Sequence, residues 1–155
     1  GQEDATLGEE LEAVDNYIYI LNVRFAGDIH FSKDVDETLE NVRVPRMILQ
    51  PVVENSVNHG IRDIEWEGKI HLKVTGDADY IRISVKDNGK GMTPEQIESV
   101  LSGNKEHKSE EGDSTGIGMN NVISRLELYY EEKGLVEINS DGVDKGTEVV
   151  IYIPV

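Results

Sequence analysis

The chain has no cysteine, one tryptophan and four prolines, and it carries half as many cations as anions. Without cysteine there is no disulfide framework, a composition compatible with a reducing compartment. No apolar stretch approaches the roughly 20 residues needed to span a bilayer, and no secretory leader is expected ahead of the fold. Lysine and arginine total 15 against 31 aspartate and glutamate, for a formal net charge of −16. Such a surface repels a phosphate backbone and argues against broad nucleic-acid binding. A small anionic ligand stays open, provided a metal, a helix terminus or a few basic groups neutralise it locally.

What is present is a globular composition. Hydrophobic residues make up 37% of 155, enough for one core in one domain, and there are no internal repeats. Leu7, Leu11, Val14, Ile18 and Leu21 recur at spacings of three and four. They predict a helix over 7–23 with Glu9, Glu10, Glu12 and Asp15 outward and Gly27 closing the unit. Alternation in IHFSKDV (29–35) predicts a strand, and ENVRV (40–44) a shorter one. Beyond Pro45, Leu49, Val53, Val57 and Gly60 share one helical face, while Pro51, Asn55, Asn58, His59 and Arg62 share another. Pro51 lacks a backbone donor, which implies a kink or a helix start nearer Gln50.

Further on, Ile70, Leu72 and Val74 alternate against Ile81, Ile83 and Val85 across the turn GDAD, a hairpin pattern. Thr93 and Gln96 frame a capped helix start, with the helix ending near Gly103. GNKEHKSEEGDSTG has no apolar period and reads as a loop. Met119, Val122, Ile123, Leu126 and Tyr130 predict a helix over 117–133, followed by a closing hairpin of LVEINS and TEVVIYIPV. The expected fold is an α+β two-layer sandwich, with helices on one face of a mixed, mainly antiparallel sheet. Residues 1–6 are expected to be a disordered lead-in.

Three polar clusters interrupt the apolar pattern. In the first, Glu54, Asn55, Asn58 and His59 either form a solvated helix face or present hard carboxamide oxygens to Mg²⁺. In the second, VKDNGKGM (85–92), a strand runs out into Asp87, and Gly89 and Gly91 permit a sharp turn or a close approach. Asp-Asn-Gly is ordinary turn chemistry; equally, a carboxylate at a strand end can accept from an exocyclic amine and so select adenine. The third, STGIGMNNVISRL (114–126), puts glycines before an amphipathic helix, where free N–H groups and the helix dipole favour an anion. Neither common phosphate-loop spacing is present.

In this order and with these gaps, the clusters resemble the N, G1 and G2 boxes of the catalytic ATP-binding domain of sensor histidine kinases. That domain has the GHKL, or Bergerat, ATPase fold shared with gyrase, Hsp90 and MutL. Residues 50–61, 87–92 and 115–121 carry the likeness, and LQPVVENSVNHGI is particularly similar to the YesM-like and LytS-like kinases. The helix over 7–25 resembles the one leading from their dimerisation region, with the ATP domain then spanning 26–155.

The resemblance implies ATP and Mg²⁺ as ligands, with Asn55 on the metal and Asp87 on the adenine amino group. Gly89 and Gly91 would shape the pocket floor, Gly116 and Gly118 would meet the phosphates, and Met92 or Met119 would lie near the base. Thr147 would join the adenine-side hydrogen bonds, Asn58 would bind the nucleotide beside Asn55, His59 would stand at the pocket mouth, and residues 93–115 would form the ATP lid. Two departures matter. Many relatives have lysine where this chain has Asn58, leaving Lys105, His107 or Lys108 as candidate substitutes. Hydrolytic relatives place a glutamate base where this chain has Pro51, leaving Glu54, about 100° round a helix from Asn55, as the candidate catalytic carboxylate.

None of His30, His59, His71 and His107 has the setting of the family's phosphoacceptor. The implied function is therefore transfer of the ATP γ-phosphoryl group to a histidine outside this sequence. The implied partners are the dimerisation helices and a response regulator, and the implied place is the cytoplasmic part of a membrane sensor. No nucleic-acid or membrane contact is expected, and the piece itself is expected to be a monomer. The alternatives are an ATP hydrolase or conformational switch of the Hsp90 or MutL kind, and an α+β interaction module with no nucleotide.

Overall fold

The computed structural model describes residues 3–24, 29–103 and 115–155. Alternation sets the sheet. In strands β4 (Gly68–Gly76) and β5 (Tyr80–Asp87), Ile70, Leu72, Val74, Ile81, Ile83 and Val85 are all buried, and the strands pair antiparallel with Leu72 opposite Val85. Strand β7 (Thr147–Pro154) pairs antiparallel with β5 and, on its other edge, with β6 (Val136–Asn139). Strand β2 (Ile29–Val35) joins the opposite edge, parallel to β4, giving the order β2-β4-β5-β7-β6. The sheet is mixed and mainly antiparallel, as expected.

Helices cover the face that carries the buried side chains of β4 and β5. Helix α1 (Leu7–Arg24) buries Leu7, Leu11, Val14 and Ile18. Helix α2 (Gln50–Asn55) begins at Gln50 with Pro51 in its first turn, where the missing donor costs no intrahelical bond. Helix α3 (Pro94–Ser102) starts on a complete capping box between Thr93 and Gln96, and Gly103 ends it in the left-handed conformation at φ 67°. Helix α4 (Thr115–Tyr130) buries Met119, Val122 and Leu126. No helix among the described residues is long and apolar enough to cross a membrane.

Four expectations need correction. The last three residues of the expected lead-in form a strand, β1 (Asp4–Thr6), paired antiparallel with β3 (Arg43–Pro45) in a separate two-stranded sheet. That pairing uses the end of ENVRV, so the shorter strand begins three residues later than its apolar residues suggest. Helix α4 occupies 115–130 rather than 117–133, so the glycines of the third cluster lie inside its first turn. Finally, Glu10 is not outward. It is 6% exposed, and its carboxylate accepts from the backbone N–H groups of Met47, Ile48 and Leu49 at 3.1, 2.9 and 3.3 Å.

Candidate functional site

The first two clusters meet where α2, the end of β5 and the start of β7 come together, and α4, which carries the third, packs against α2. After Asn55 the helix widens into π-helical winding over Ser56–Ile61, closed by the Arg62 N–H donating to the Val57 carbonyl at 2.9 Å. The α-helical spacing that would set Asn55 and Asn58 on one stripe therefore stops at Asn55. Asn58 is exposed and His59 is partly buried on the widened turn.

The widening brings Gly60 onto the Asp87–Gly91 turn. The Lys90 N–H donates to the Gly60 carbonyl at 2.8 Å. A Cβ on Gly89 would stand 2.1 Å from that carbonyl oxygen, so only glycine permits the approach. On its other side the turn is fastened to the β6–β7 connection. The Ser140 hydroxyl accepts from Met92 N–H at 3.0 Å and donates to the Gly146 carbonyl at 2.6 Å, and Gly146 N–H donates to the Gly89 carbonyl at 3.1 Å. Gly91, at φ 73°, provides the left-handed backbone this path requires.

Asp87 is 5% exposed at the end of β5, directly opposite Thr147, which is 8% exposed, in the β5–β7 register. Burial pushes its carboxyl above the usual 3.8. Three donors oppose that shift: the Gly89 N–H at 2.9 Å, the Ser56 hydroxyl and the Thr147 N–H. A buried carboxylate held this firmly is a fixed acceptor, suited to reading a single donor on a ligand.

Asn55, one residue before Ser56, has its Oδ1 buried with no hydrogen-bond partner among the described residues. A buried acceptor without a partner costs free energy unless something else satisfies it, and a hard oxygen of this kind suits Mg²⁺. Among the described residues no three His, Asp or Glu side chains converge on a common point, so a divalent ion here would depend on Asn55 and oxygens from its ligand. Glu54 turns to other neighbours: it accepts from Gln50 Nε2 at 2.9 Å, and its charge bears on Tyr17 of α1. Burial and that charge together push the Tyr17 hydroxyl up to about 12.

Gly116 and Gly118 lie among the first four residues of α4, whose N–H groups have no intrahelical acceptor. A Cβ on Gly118 would meet nothing within 4 Å among the described residues. Met119 is fully enclosed in the core, whereas Met92 is partly buried and accessible. Lys105, His107 and Lys108 lie outside the described residues.

Sequence reading missed Ser56, Ser140 and Gly146, which position Asp87 and its turn. Ser56 has no distinguishing pattern beyond standing next to Asn55. Gly146 showed in the sequence only as the glycine preceding Thr147.

A fixed acid at a strand end and an orphaned carboxamide beside it, on an α+β sandwich, make this the candidate ligand site. The family model described as "Histidine kinase-, DNA gyrase B-, and HSP90-like ATPase" matches residues 41–155, and the chain belongs to this family. ATP is the nucleotide that membership implies. The sensor histidine kinase YpdA of Escherichia coli (strain K12) is 32% identical over 152 residues, 98% of this chain and 25% of that protein. The sensor protein LytS of Bacillus subtilis (strain 168) is 30% identical over 148 residues, 96% of this chain and 24% of that protein. The chain thus spans about a quarter of the length of these curated relatives. Among solved structures, the catalytic domain of histidine kinase ThkA superposes with a TM-score of 0.68 at 19% identity, over 97% of this chain and 94% of that one. The mycobacterial sensor histidine kinase MprB gives 0.68 at 17%, over 98% and 96%. At these identities the two structures establish the shared fold.

Proposed function

We propose that this domain binds ATP together with Mg²⁺ and donates the γ-phosphoryl group to a histidine on another segment of a sensor kinase. The observation that carries the reading is the buried, unpartnered Asn55 Oδ1 beside the residue that holds Asp87. Asp87 would accept from the adenine 6-amino group, with Thr147 on the same side and Met92 beside the base. Asn55 would offer its oxygen to the metal, and the Gly116 to Gly118 amides would receive the phosphates. Asn58 and His59 would line the site from the widened turn, and residues 104–114 of the expected lid lie outside the described residues. Bound there, Mg²⁺ would offset the phosphate charge that an acidic domain cannot meet with cations of its own.

In the transfer, an acceptor imidazole nitrogen bonds to the γ-phosphorus while the bond to the bridging oxygen breaks, leaving ADP. The chain's part is positioning and exclusion of water. Glu54 is engaged by Gln50 Nε2 and is not held as a base for water, which favours transfer over hydrolysis. Names of the relatives support this reading: they are called sensor kinases or sensor proteins. The wider setting follows from it: dimerisation helices bearing the acceptor, a response regulator downstream, and a place on the cytoplasmic side of a membrane sensor.

The test is to mix the domain with γ-labelled ATP, Mg²⁺ and a separate fragment carrying the acceptor histidine. Label on that histidine supports the proposal. Free phosphate without labelled histidine favours the hydrolase.

A further inference from the structure

Glu10 lies 45 residues before Asn55 in sequence and belongs to a different helix, yet it holds the backbone from which Asn55 is hung. Helix α2 has no side-chain cap of its own: Leu49 precedes it, and Pro51 has no N–H to offer. Instead the Glu10 carboxylate receives Met47, Ile48 and Leu49 N–H groups, the last two on residues with no exposed surface. Met47 adopts φ 58°, a left-handed conformation that a non-glycine residue keeps only when its surroundings impose it. The second restraint comes from α4, where Arg125 Nη1 donates to the Met47 carbonyl at 2.8 Å. Two turns along α1, Tyr17 lies within the field of Glu54 and Arg62, and α1 packs against α2.

The geometry points to Glu10 as a positioning residue that sets where α2 sits and hence where the Asn55 oxygen meets the metal. This rests on the nucleotide reading above. Its physical basis is that a short helix has few contacts of its own to define its position, and metal geometry tolerates displacements of only about 0.5 Å. Removing the carboxylate strands three N–H groups, two of them buried, and the loop must move to satisfy them. Any such movement passes directly into α2. The β4–β5 hairpin, which holds Asp87, has no bond to Glu10 and should keep its place.

The experiment uses Glu10→Gln and, as an independent probe of the same clamp, Arg125→Ala. Glu10→Gln keeps one acceptor oxygen but turns a donor toward the loop. Without nucleotide, amide hydrogen exchange in peptides covering 50–61 should speed up, with peptides covering 68–87 unchanged. In nucleotide titrations, the gain in affinity caused by Mg²⁺ should fall roughly tenfold or more, the scale of outer-shell losses at metal sites, with Mg²⁺-free affinity retained. Arg125→Ala should shift both measurements the same way. Equal acceleration of exchange everywhere, or equal loss of affinity with and without Mg²⁺, would mean general destabilisation and overturn the inference. Unchanged exchange over 50–61 in both variants would overturn it as well. A parent domain showing no Mg²⁺ gain would sink the nucleotide reading itself, and the exchange result would still decide whether Glu10 positions α2.

Discussion

Gly60 lies so close to Asp87 that a Cβ there would stand 2.9 Å from the carboxylate carbon and both of its oxygens. The contact joins the widened turn of the N-box helix to the acid expected to read adenine. Gly60→Ala must displace the carboxylate or the turn, with a stability loss of about 1–3 kcal/mol by overpacking. Adenine-nucleotide affinity should fall with it. Urea unfolding and nucleotide titration of the same sample check both effects.

Asn55→Ala should separate stability from binding. The lost oxygen has no partner among the described residues, so unfolding free energy without nucleotide should stay within about 1 kcal/mol of the parent. The affinity gain from Mg²⁺ should disappear or fall at least roughly tenfold. A large loss of stability with the Mg²⁺ gain intact would place Asn55 in the scaffold instead.

Ser56→Ala has a pH signature. Burial raises the Asp87 carboxyl above 3.8, and the Ser56 hydroxyl opposes the shift by favouring the charged form. Removing the hydroxyl raises that pKa further. A carboxyl raised on folding stabilises the fold fully below its unfolded value, and that contribution is lost as pH rises through the folded value. The variant should therefore cost about 1 kcal/mol at neutral pH and less below pH 3.8. Chemical unfolding of parent and variant across that range gives the difference directly.

Trp66 supplies a reporter. It is the only tryptophan, and its indole N–H donates to the Asn88 carbonyl, next to Asp87, at 2.6 Å. ATP binding should change its fluorescence in a saturable way. The same titration on Asp87→Asn should be flat over the parent's concentration range.

Much of this architecture was readable from periodicity because its units are local. The β4–β5 hairpin follows from strict alternation, and α3 from a capping box four residues long. Asp87 was legible because a strand ran into it and glycines followed. What escaped were relations between distant segments. The parallel pairing of β2 with β4 depends on a crossover that no local pattern encodes. The π-helical widening after Asn55 exists to fit Gly60 against a turn nearly 30 residues later, and helical spacing cannot foresee it. Glu10 shows the limit most clearly. Its spacing from Leu7 and Val14 places it on the apolar flank of α1, but its charge argued for solvent. Only the N–H groups of residues 47–49 make its burial affordable.

The most direct test of adenine recognition compares ATP with inosine triphosphate, which lacks the 6-amino group, in the parent and in Asp87→Asn, with Mg²⁺ present. The parent should prefer ATP by about 1.5–3 kcal/mol, the range for a hydrogen bond to a charged group, and the variant should lose that preference. A variant that still favours ATP as strongly as the parent would show that the base is read elsewhere.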